Sequence, residues 1–334
     1  MKPQTKPVDF EREVFNIKNK PMRKGDWWYW LWLFFFNNPK NPENPRQLMI
    51  LWSSKNEKEI DCNTLKLNMN SPKKEGLLNG AVASWYFDGK RMHHNFLLEK
   101  CDIKFLDNLI KTESTSFFVG KNSSRIKIGK DFDFVVRPSS SHEFLKPTQE
   151  TVSYPMSGYS MIESKRLKLT GKVSKENISG SAYFQQFLFH GIYPSWYWGV
   201  LHFENGASLI YMYSFLLRKR LKSPIDYITF FDGKNVHSFD NARVKMIGGT
   251  NPEFRVHGES ESELINFSVK AYSQTAWRFR KKSLGIIPNT LTYNEYPSVV
   301  SSFTLKDKAS GKSIVLKDLG KSVGNSEYGE GFLL

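Results

Sequence analysis

The sequence contains very little cysteine and histidine, which limits the metal and redox chemistry open to it. Cys62 and Cys101 are the only cysteines among 334 residues, and no Cys-x-x-Cys pair occurs. A cysteine-based zinc site is therefore not expected, although a disulfide between the two remains open. Of the seven histidines, His93 and His94 are adjacent, so on a strand they would point to opposite faces. We predict no metal site and no cofactor.

The sequence also lacks a hydrophobic run long enough to form a transmembrane helix. The longest apolar run is Trp27–Phe36, and its ten residues would span about 15 Å as a helix, against about 30 Å for a bilayer core. The preceding segment, Met1–Lys24, is polar and has no apolar core of the kind found in signal peptides. We expect a cytoplasmic protein that can also associate with the surface of a membrane.

Acidic residues are a minority, with 33 Asp and Glu against 48 Lys and Arg and a net charge of +15. Such a balance favours contact with anionic surfaces. The basic residues are scattered, and the chain has no signature of a nucleic-acid-binding module. We expect no specific nucleic acid partner. Contact with an anionic membrane surface is one interpretation, and lysines that only keep an apolar-rich chain soluble are the other.

Helical heptads are absent, and strand-length apolar or alternating runs recur instead. Turn residues such as Asn205-Gly206 separate them, and Asn-Gly between apolar runs is a strong hairpin signal. Many short strands with few helical stretches predict an all-β sandwich or barrel. The best helix candidate is Cys101–Lys111, for which a strand is the alternative. The predicted strands include Gln47–Trp52, Ala81–Phe87, Ser116–Val119, Phe132–Val136, Lys165–Leu169, Gly180–Phe189, Trp196–Phe203, Ser208–Leu217, Tyr227–Phe231, Glu263–Ala271 and Val299–Leu305.

The apolar run after Asp26 is unusual because both faces of the predicted strand are apolar. Trp27, Tyr29 and the odd-numbered residues that follow lie on one face, and Trp28 and the even-numbered residues lie on the other. An antiparallel sheet commonly leaves one face in water. Either the strand lies between two packed layers, or one of its faces lines an apolar cavity.

Four segments in order resemble the family of carotenoid hydratase (hydroxyneurosporene synthase) and AttH-like proteins. The first is Asp26-Trp27-Trp28-Tyr29-Trp30, which is similar to the aromatic signature that opens the family's sequences. The others are a Tyr-Ser followed by two strands and a Gly-x-Ala-aromatic motif, a Trp-rich hairpin that ends in Arg, and a late Tyr-x-Glu strand. These correspond to Tyr159–Phe184, Ser195–Lys219 and Leu291–Leu305.

This resemblance implies an all-β chain with two lipocalin-like antiparallel β-barrels or sandwiches in tandem and few short helices. The first would occupy residues 1–175 and the second residues 176–334. Barrels of this size can close around one small apolar ligand. The family's activities imply an isoprenoid or lipid as that ligand, and hydration or cyclisation of a C=C bond as the reaction.

The chain departs from the family at the segment after Gly-x-Ala. Where the family commonly has Asp-His, this chain has Gln185-Gln186. Protonation of an alkene needs a desolvated carboxylic acid, and an amide cannot supply the proton. An amide can still hydrogen-bond a hydroxyl or carbonyl group, so both glutamines remain candidates for binding the substrate.

The proton donor must then be sought elsewhere, and we select Asp26, Glu295 and His202 as catalytic candidates. Asp26 precedes the aromatic strand, and the alternative is that it caps the start of that strand or pairs with an arginine. Glu295 lies in a strand-like stretch and could be structural. His202 shares a predicted face with Trp196 and Trp198 and could be a satisfied wall residue.

Aromatic side chains near these residues are the candidate walls of a ligand chamber, where ring faces would stabilise a developing carbocation. Packing in an ordinary core is the competing interpretation. Two functions stay open: acid-catalysed hydration or cyclisation of an apolar polyene, and binding of a lipid or isoprenoid without catalysis. The predicted substrate-binding residues are Trp27, Trp28, Tyr29, Tyr183, Gln185, Gln186, His190, Trp196, Trp198 and Tyr211.

Overall fold

The computed structural model describes residues 4–16, 22–69, 76–153, 157–191, 194–216, 221–283 and 287–331. The last residues of the predicted strand 208–217 and of the similar segment 195–219 lie outside these ranges, as do parts of residues 1–24. Strands make up 69% of the structure and helices 4%, which confirms the all-β prediction.

The described residues form twenty-five strands, and all the pairings described between them are antiparallel. They are β1 (Gln4–Pro7), β2 (Trp27–Phe36), β3 (Arg46–Lys55), β4 (Glu57–Cys62), β5 (Leu65–Met69), β6 (Leu77–Phe87), β7 (Met92–Leu106), β8 (Leu109–Lys111), β9 (Thr115–Val119), β10 (Ser124–Ile128), β11 (Phe132–Pro138), β12 (Thr148–Ser153), β13 (Gly158–Val173), β14 (Glu176–His190), β15 (Ser195–Phe203), β16 (Ser208–Leu216), β17 (Leu221–Phe231), β18 (Val236–Phe239), β19 (Arg243–Ile247), β20 (Glu253–Glu259), β21 (Glu263–Ala271), β22 (Thr275–Ser283), β23 (Ile287–Asp307), β24 (Ser313–Val315) and β25 (Ser322–Gly331). The helices are short: α1 (Phe10–Glu13), α2 (Leu316–Leu319) and a 3-10 turn at Glu143–Leu145.

The chain divides into two compact units. The first comprises Met1–Tyr193, Arg278–Thr290 and Leu333–Leu334, and the second comprises Pro194–Trp277 and Leu291–Phe332. Strand β14 therefore belongs to the first unit, whereas the domain boundary expected at residue 175 would precede it.

The first unit contains a closed barrel of ten antiparallel strands. Its order is β13-β11-β10-β9-β8-β7-β6-β3-β2-β14, and β14 closes the ring by pairing with β13. The helix candidate Cys101–Lys111 is strand in the structure, because β7 continues to Leu106 and turns into β8. The side chains that alternate inward from β7 and β8, such as Ile103 and Ile110, are fully buried in the barrel core.

The interior of this barrel is filled with aromatic rings. Strand β2 points its even-numbered residues, from Trp28 to Phe36, into the core. The Trp32 ring centroid lies 4.7 Å from that of Phe184 and 5.2 Å from that of Phe117, at the distances of favourable ring pairs. Burying each ring contributes roughly 1.5–3 kcal/mol. On the opposite face of β2, Leu33 and Phe35 are also buried, so both faces are covered along this part of the strand.

The second unit is built on a sheet in the order β18-β17-β16-β15-β25-β23-β21-β20-β19. The predicted Asn205-Gly206 hairpin joins β15 to β16, and Gly206 has the positive φ of 95° that glycine adopts without a steric cost. One face of this sheet forms an apolar core that includes Tyr197, Leu201 and Phe203 of β15. Trp196, Trp198, Val200 and His202 alternate with these residues and lie on the other face of β15, where they are also buried.

Candidate active site

Two buried glutamates lie side by side in the sheet of the second unit. Glu295 of β23 is directly opposite Glu327 of β25, and Trp198 of β15 is opposite Glu327 on the other side. Directly opposite residues point to the same face, with their Cβ atoms about 5 Å apart. Glu295 is 0% exposed and Glu327 is 5% exposed. The register of three strands therefore places two carboxyl groups and an indole in one row.

Each carboxyl group of this pair accepts hydrogen bonds from aromatic or amide donors. Glu295 accepts from Trp277 Nε1 at 3.1 Å and from Asn325 Nδ2 at 3.2 Å. Glu327 accepts from the Tyr293 hydroxyl and, at 3.4 Å, from Trp196 Nε1. These donors hold the two carboxyl groups in place but carry no positive charge.

The surroundings of Glu327 favour its protonated form. Burial raises the pKa of the Glu327 carboxyl well above its ordinary value, and repulsion by Glu295 raises this pKa further. The bonds donated by Tyr293 and Trp196 act in the opposite direction and offset only part of this rise. The pair therefore keeps a proton on Glu327 at pH values where an exposed glutamate would be ionised.

A glycine allows Trp196 to reach this carboxyl group. Gly329 is directly opposite Trp196, and a Cβ atom at position 329 would lie 2.3 Å from the indole ring. The indole therefore lies across the backbone of β25, with its centroid 5.6 Å from that of the Tyr293 ring. Tyr293 is half-buried, and its hydroxyl donates to Glu327.

Asn325 supplies a buried acceptor beside the pair. Its Nδ2 donates to Glu295, while its Oδ1 has no hydrogen-bond partner among the described residues. The residue is 0% exposed, so leaving this oxygen unpaired costs about 1–3 kcal/mol. A water molecule or a substrate hydroxyl group bound next to Glu295 could satisfy it.

Of the other residues predicted in this unit, His202 lies away from the carboxyl pair, whereas Tyr211 is near enough to Glu327 for the charge of that carboxyl group to raise the Tyr211 pKa further than burial alone does. His202 is on the same face of β15 as Trp198 but four residues further along, about 13 Å away at the usual rise of a strand. Tyr211 points to the opposite face, into the apolar core, where its hydroxyl donates to Ser326 at 2.9 Å. Burial raises the pKa of Tyr211.

In the first unit, Asp26 is part of the turn that leads into β2. Its Oδ2 accepts from the backbone N–H of Arg23 at 2.8 Å and lies 3.7 Å from Arg23 Nε. These contacts are those expected if Asp26 caps the start of β2, the structural alternative given for it in the sequence. The neighbouring Trp27 donates to the Ser53 hydroxyl at 2.7 Å, and Lys55 Nζ lies 5.6 Å from its ring centroid.

The remaining candidates of the first unit belong to β2 and β14. The Tyr29 hydroxyl donates to Gln185 at 3.1 Å, and Gln186 donates to the backbone carbonyl of Val14 at 2.8 Å. Tyr183 donates to Glu163 at 2.7 Å. Trp28 is buried in the barrel core, and His190 is half-buried at the end of β14. Thus both amides, Gln185 and Gln186, hydrogen-bond the protein itself.

Four members of the site were not anticipated as site residues from the sequence, namely Tyr293, Glu327, Asn325 and Trp277. Strand β25 contains Gly324, Gly329 and several polar residues, so it lacks the apolar alternation that indicates a strand. The one available signal was a short Glu-Tyr pair, Glu327-Tyr328, which resembles Glu295-Tyr296. That Glu327 lies opposite Glu295 could be identified only from the register between the strands.

Neither metal sites nor membrane-spanning helices are found in the part of the chain that the structure describes. No group of three or more His, Cys, Asp or Glu side chains there could hold a metal ion. No helix there is long and apolar enough to cross a membrane.

Comparison with solved structures identifies the fold. The AttH-type protein from Nitrosomonas europaea superimposes with a TM-score of 0.58 at 11% sequence identity, over 98% of each chain. Kievitone hydratase from Nectria haematococca does so with a TM-score of 0.52 at 9% identity, over 97% of this chain and 95% of that one. No protein-family model matches the sequence, and no curated protein matches it either. The chain thus has an AttH-like lipocalin fold.

Proposed function

We propose that this protein is a hydratase that adds water to a C=C bond of an apolar, isoprenoid-type substrate. The observation that carries this proposal is the buried pair of Glu295 and Glu327, in which burial and mutual repulsion raise the pKa of Glu327 well above its ordinary value. Protonation of an alkene needs such an acid in a site with little water. The hydratase among the structural neighbours supports the reaction class, although the likeness itself concerns only the fold.

In the proposed reaction, Glu327 and Glu295 have complementary roles. Glu327 transfers its proton to one alkene carbon, and the electron pair of the C=C bond forms the new C–H bond, which leaves a carbocation on the other carbon. A water molecule held by Asn325 and Glu295 attacks that carbon, and its proton passes to Glu295. Transfer of this proton from Glu295 to Glu327 restores the starting state. The net change is the addition of one water molecule.

The aromatic neighbours would protect and stabilise the cation. Trp196 and Trp277 donate to the two carboxyl groups, so their rings lie close to where the positive charge would develop. A cation over an indole face is stabilised by roughly 0.5–2 kcal/mol. An apolar isoprenoid suits this environment because it can be desolvated at little cost.

The test is incubation of the purified protein with a panel of acyclic isoprenoid polyenes in water enriched in ¹⁸O, followed by mass spectrometry. We expect a product heavier by one labelled water. Glu327→Gln should reduce the rate by at least about 100-fold, the usual contribution of a positioned acid. Glu295→Gln should also reduce it strongly because the base is lost.

A matched control is available in the first unit. Glu150 is also a partly buried glutamate that accepts a hydrogen bond from a tyrosine, Tyr159, and burial raises its pKa. Glu150→Gln should leave turnover unchanged. Full activity of Glu327→Gln on a substrate that the protein hydrates would refute the proposed acid.

A second function, binding of a lipid or isoprenoid without catalysis, is favoured by Gln185 and Gln186. These amides replace the acid and imidazole common in the family and hydrogen-bond Tyr29 and Val14. Under this alternative, native mass spectrometry would find a lipid that co-purifies with the protein, and no member of the panel would gain water.

A further inference from the structure

A second polar region lies in the second unit, on strands β19, β20 and β21. It is an open depression of about 360 Å³, within the size range of small-ligand sites. Its polar lining includes Arg243, Lys245, Arg255, His257, Asn266 and Ser268. None of these residues belongs to the proposed active site.

The strand register brings these polar side chains to one face. Arg243 is opposite His257, and Lys245 is opposite Arg255. On the next strand, Asn266 is opposite His257 and Ser268 is opposite Arg255. The residues that alternate with them, including Val256 and Phe267, are buried in the apolar core. Burial of the apolar face therefore fixes three cationic groups and several neutral hydrogen-bonding groups on the other face.

The positive charge of this depression is only partly compensated. Glu253 pairs with Arg255 at 2.6 Å. Another acidic residue on β20, Glu259, pairs with Lys308 at 2.7 Å and also interacts electrostatically with His257 and Arg243, without forming an ion pair with Arg243. Within the described residues, Arg243 and Lys245 make no hydrogen bond or ion pair through their side chains, and both are exposed. Two cationic groups therefore remain available to an anion.

We propose that this depression binds a phosphate group, carried either by a small molecule or by a lipid headgroup. A guanidinium group offers paired N–H donors that match phosphate oxygens, and a neighbouring ammonium group adds a second charge. The Ser268 hydroxyl and the Asn266 amide add neutral hydrogen-bonding groups to the same face. A phosphomonoester carries a charge between about −1.5 and −2 near neutral pH, which Arg243 and Lys245 together can balance. Part of the positive charge of the chain, whose net value is +15, is thus concentrated at one site that suits a phosphate group.

The test measures binding of two probes to the full chain. Inorganic phosphate is titrated by calorimetry, and vesicles of phosphatidylcholine with and without phosphatidic acid are used in co-sedimentation. We expect phosphate to bind the wild-type chain and the double variant Arg243→Gln/Lys245→Gln to bind it at least about tenfold more weakly. Both positions are exposed, so circular dichroism should show an unchanged fold.

The matched control removes the same charge elsewhere. Lys121 and Lys130 are exposed on the first unit, and Lys121→Gln/Lys130→Gln should bind phosphate as the wild-type chain does. Vesicle binding that depends on phosphatidic acid and on Arg243 and Lys245 would identify a lipid headgroup as the source, whereas binding of phosphate alone would identify a soluble compound.

Two results would overturn the proposal. One is equal weakening in both double variants, which would indicate an effect of overall charge. The other is no binding of either phosphate probe, including the case in which only duplex DNA binds. Neither result depends on hydratase activity, so this proposal and the proposed function can fail separately.

Discussion

Glu163 of the first unit and Glu327 of the second are both buried glutamates that accept a hydrogen bond from a tyrosine hydroxyl group. Their exposed fractions are nearly equal, at 6% and 5%. Their neighbours differ in charge. Lys165 Nζ lies 3.2 Å from Glu163, whereas the residue opposite Glu327 is a second glutamate.

This difference shows that burial alone does not determine what a carboxyl group does. An ammonium group beside a buried carboxylate compensates its charge and makes the pair part of the structure. A like charge beside a buried carboxyl group favours retention of a proton, and a retained proton can be used in catalysis. The three predictions below test this comparison, beginning with the largest effect.

Neutralising the two glutamates should have unequal consequences for stability. Glu163→Gln removes the carboxylate beside the half-buried Lys165, which keeps its hydrogen bond to Thr148, so we expect the free energy of unfolding to fall by about 2 kcal/mol. Glu327→Gln replaces a protonated carboxyl group by an amide of similar shape and should change it by less than about 1 kcal/mol at neutral pH. Urea denaturation of both variants measures the difference. Equal losses would contradict the comparison.

The pH dependence of stability should also separate the two sites. The pKa of Glu327 is raised in the folded protein, so its contribution to stability is complete below the unfolded value of about 4.5 and is lost progressively as the pH rises from there to the folded value. The slope can reach about 1.4 kcal/mol per pH unit.

Comparing the wild-type chain with Glu327→Gln across this pH range isolates that contribution. The variant should lose the downward slope because its amide does not titrate. Parallel stability curves for the two proteins would show that Glu327 ionises normally in the folded state.

The smallest expected effect comes from Tyr293→Phe. The hydroxyl of Tyr293 stabilises the ionised form of Glu327 and so lowers its pKa. Removing it should raise the pKa of Glu327 by less than about one unit. Infrared spectroscopy of the protonated carboxyl band during a pH titration measures this shift. Tyr183→Phe, next to Glu163, is the matched control, and it should leave that band unchanged.

Much of the fold could be predicted from local patterns. The apolar and alternating runs predicted as strands, such as Trp196–Phe203 and Glu263–Ala271, are strands in the structure. The segment Cys101–Lys111 was harder to assign because its apolar residues fit both the helical and the strand period. The barrel interior decided it, since Ile103, Phe105 and Ile110 point inward only in a strand.

The candidate site was only partly predictable. Glu295 and Trp196 lie in stretches that the sequence predicts as strands. Both were predicted as site residues, and both belong to the site. Glu327 and Asn325 lie in a segment rich in glycine and polar residues, where propensity argues against a strand. The aromatic pattern also drew attention to Trp28 and Tyr211, which the structure places in apolar cores.

By itself, the sequence determined that this chain forms antiparallel β structure and that several strands are apolar on both faces. These properties follow from the alternation of side chains along a strand, which repeats every two residues and can therefore be read from residues close together in the sequence. Only the tertiary structure decided that Glu295 meets Glu327, and that Arg243 and Lys245 share a face with Arg255. Such pairs depend on the register between strands, which the packing of the whole apolar face fixes, and a shift of one residue would separate them.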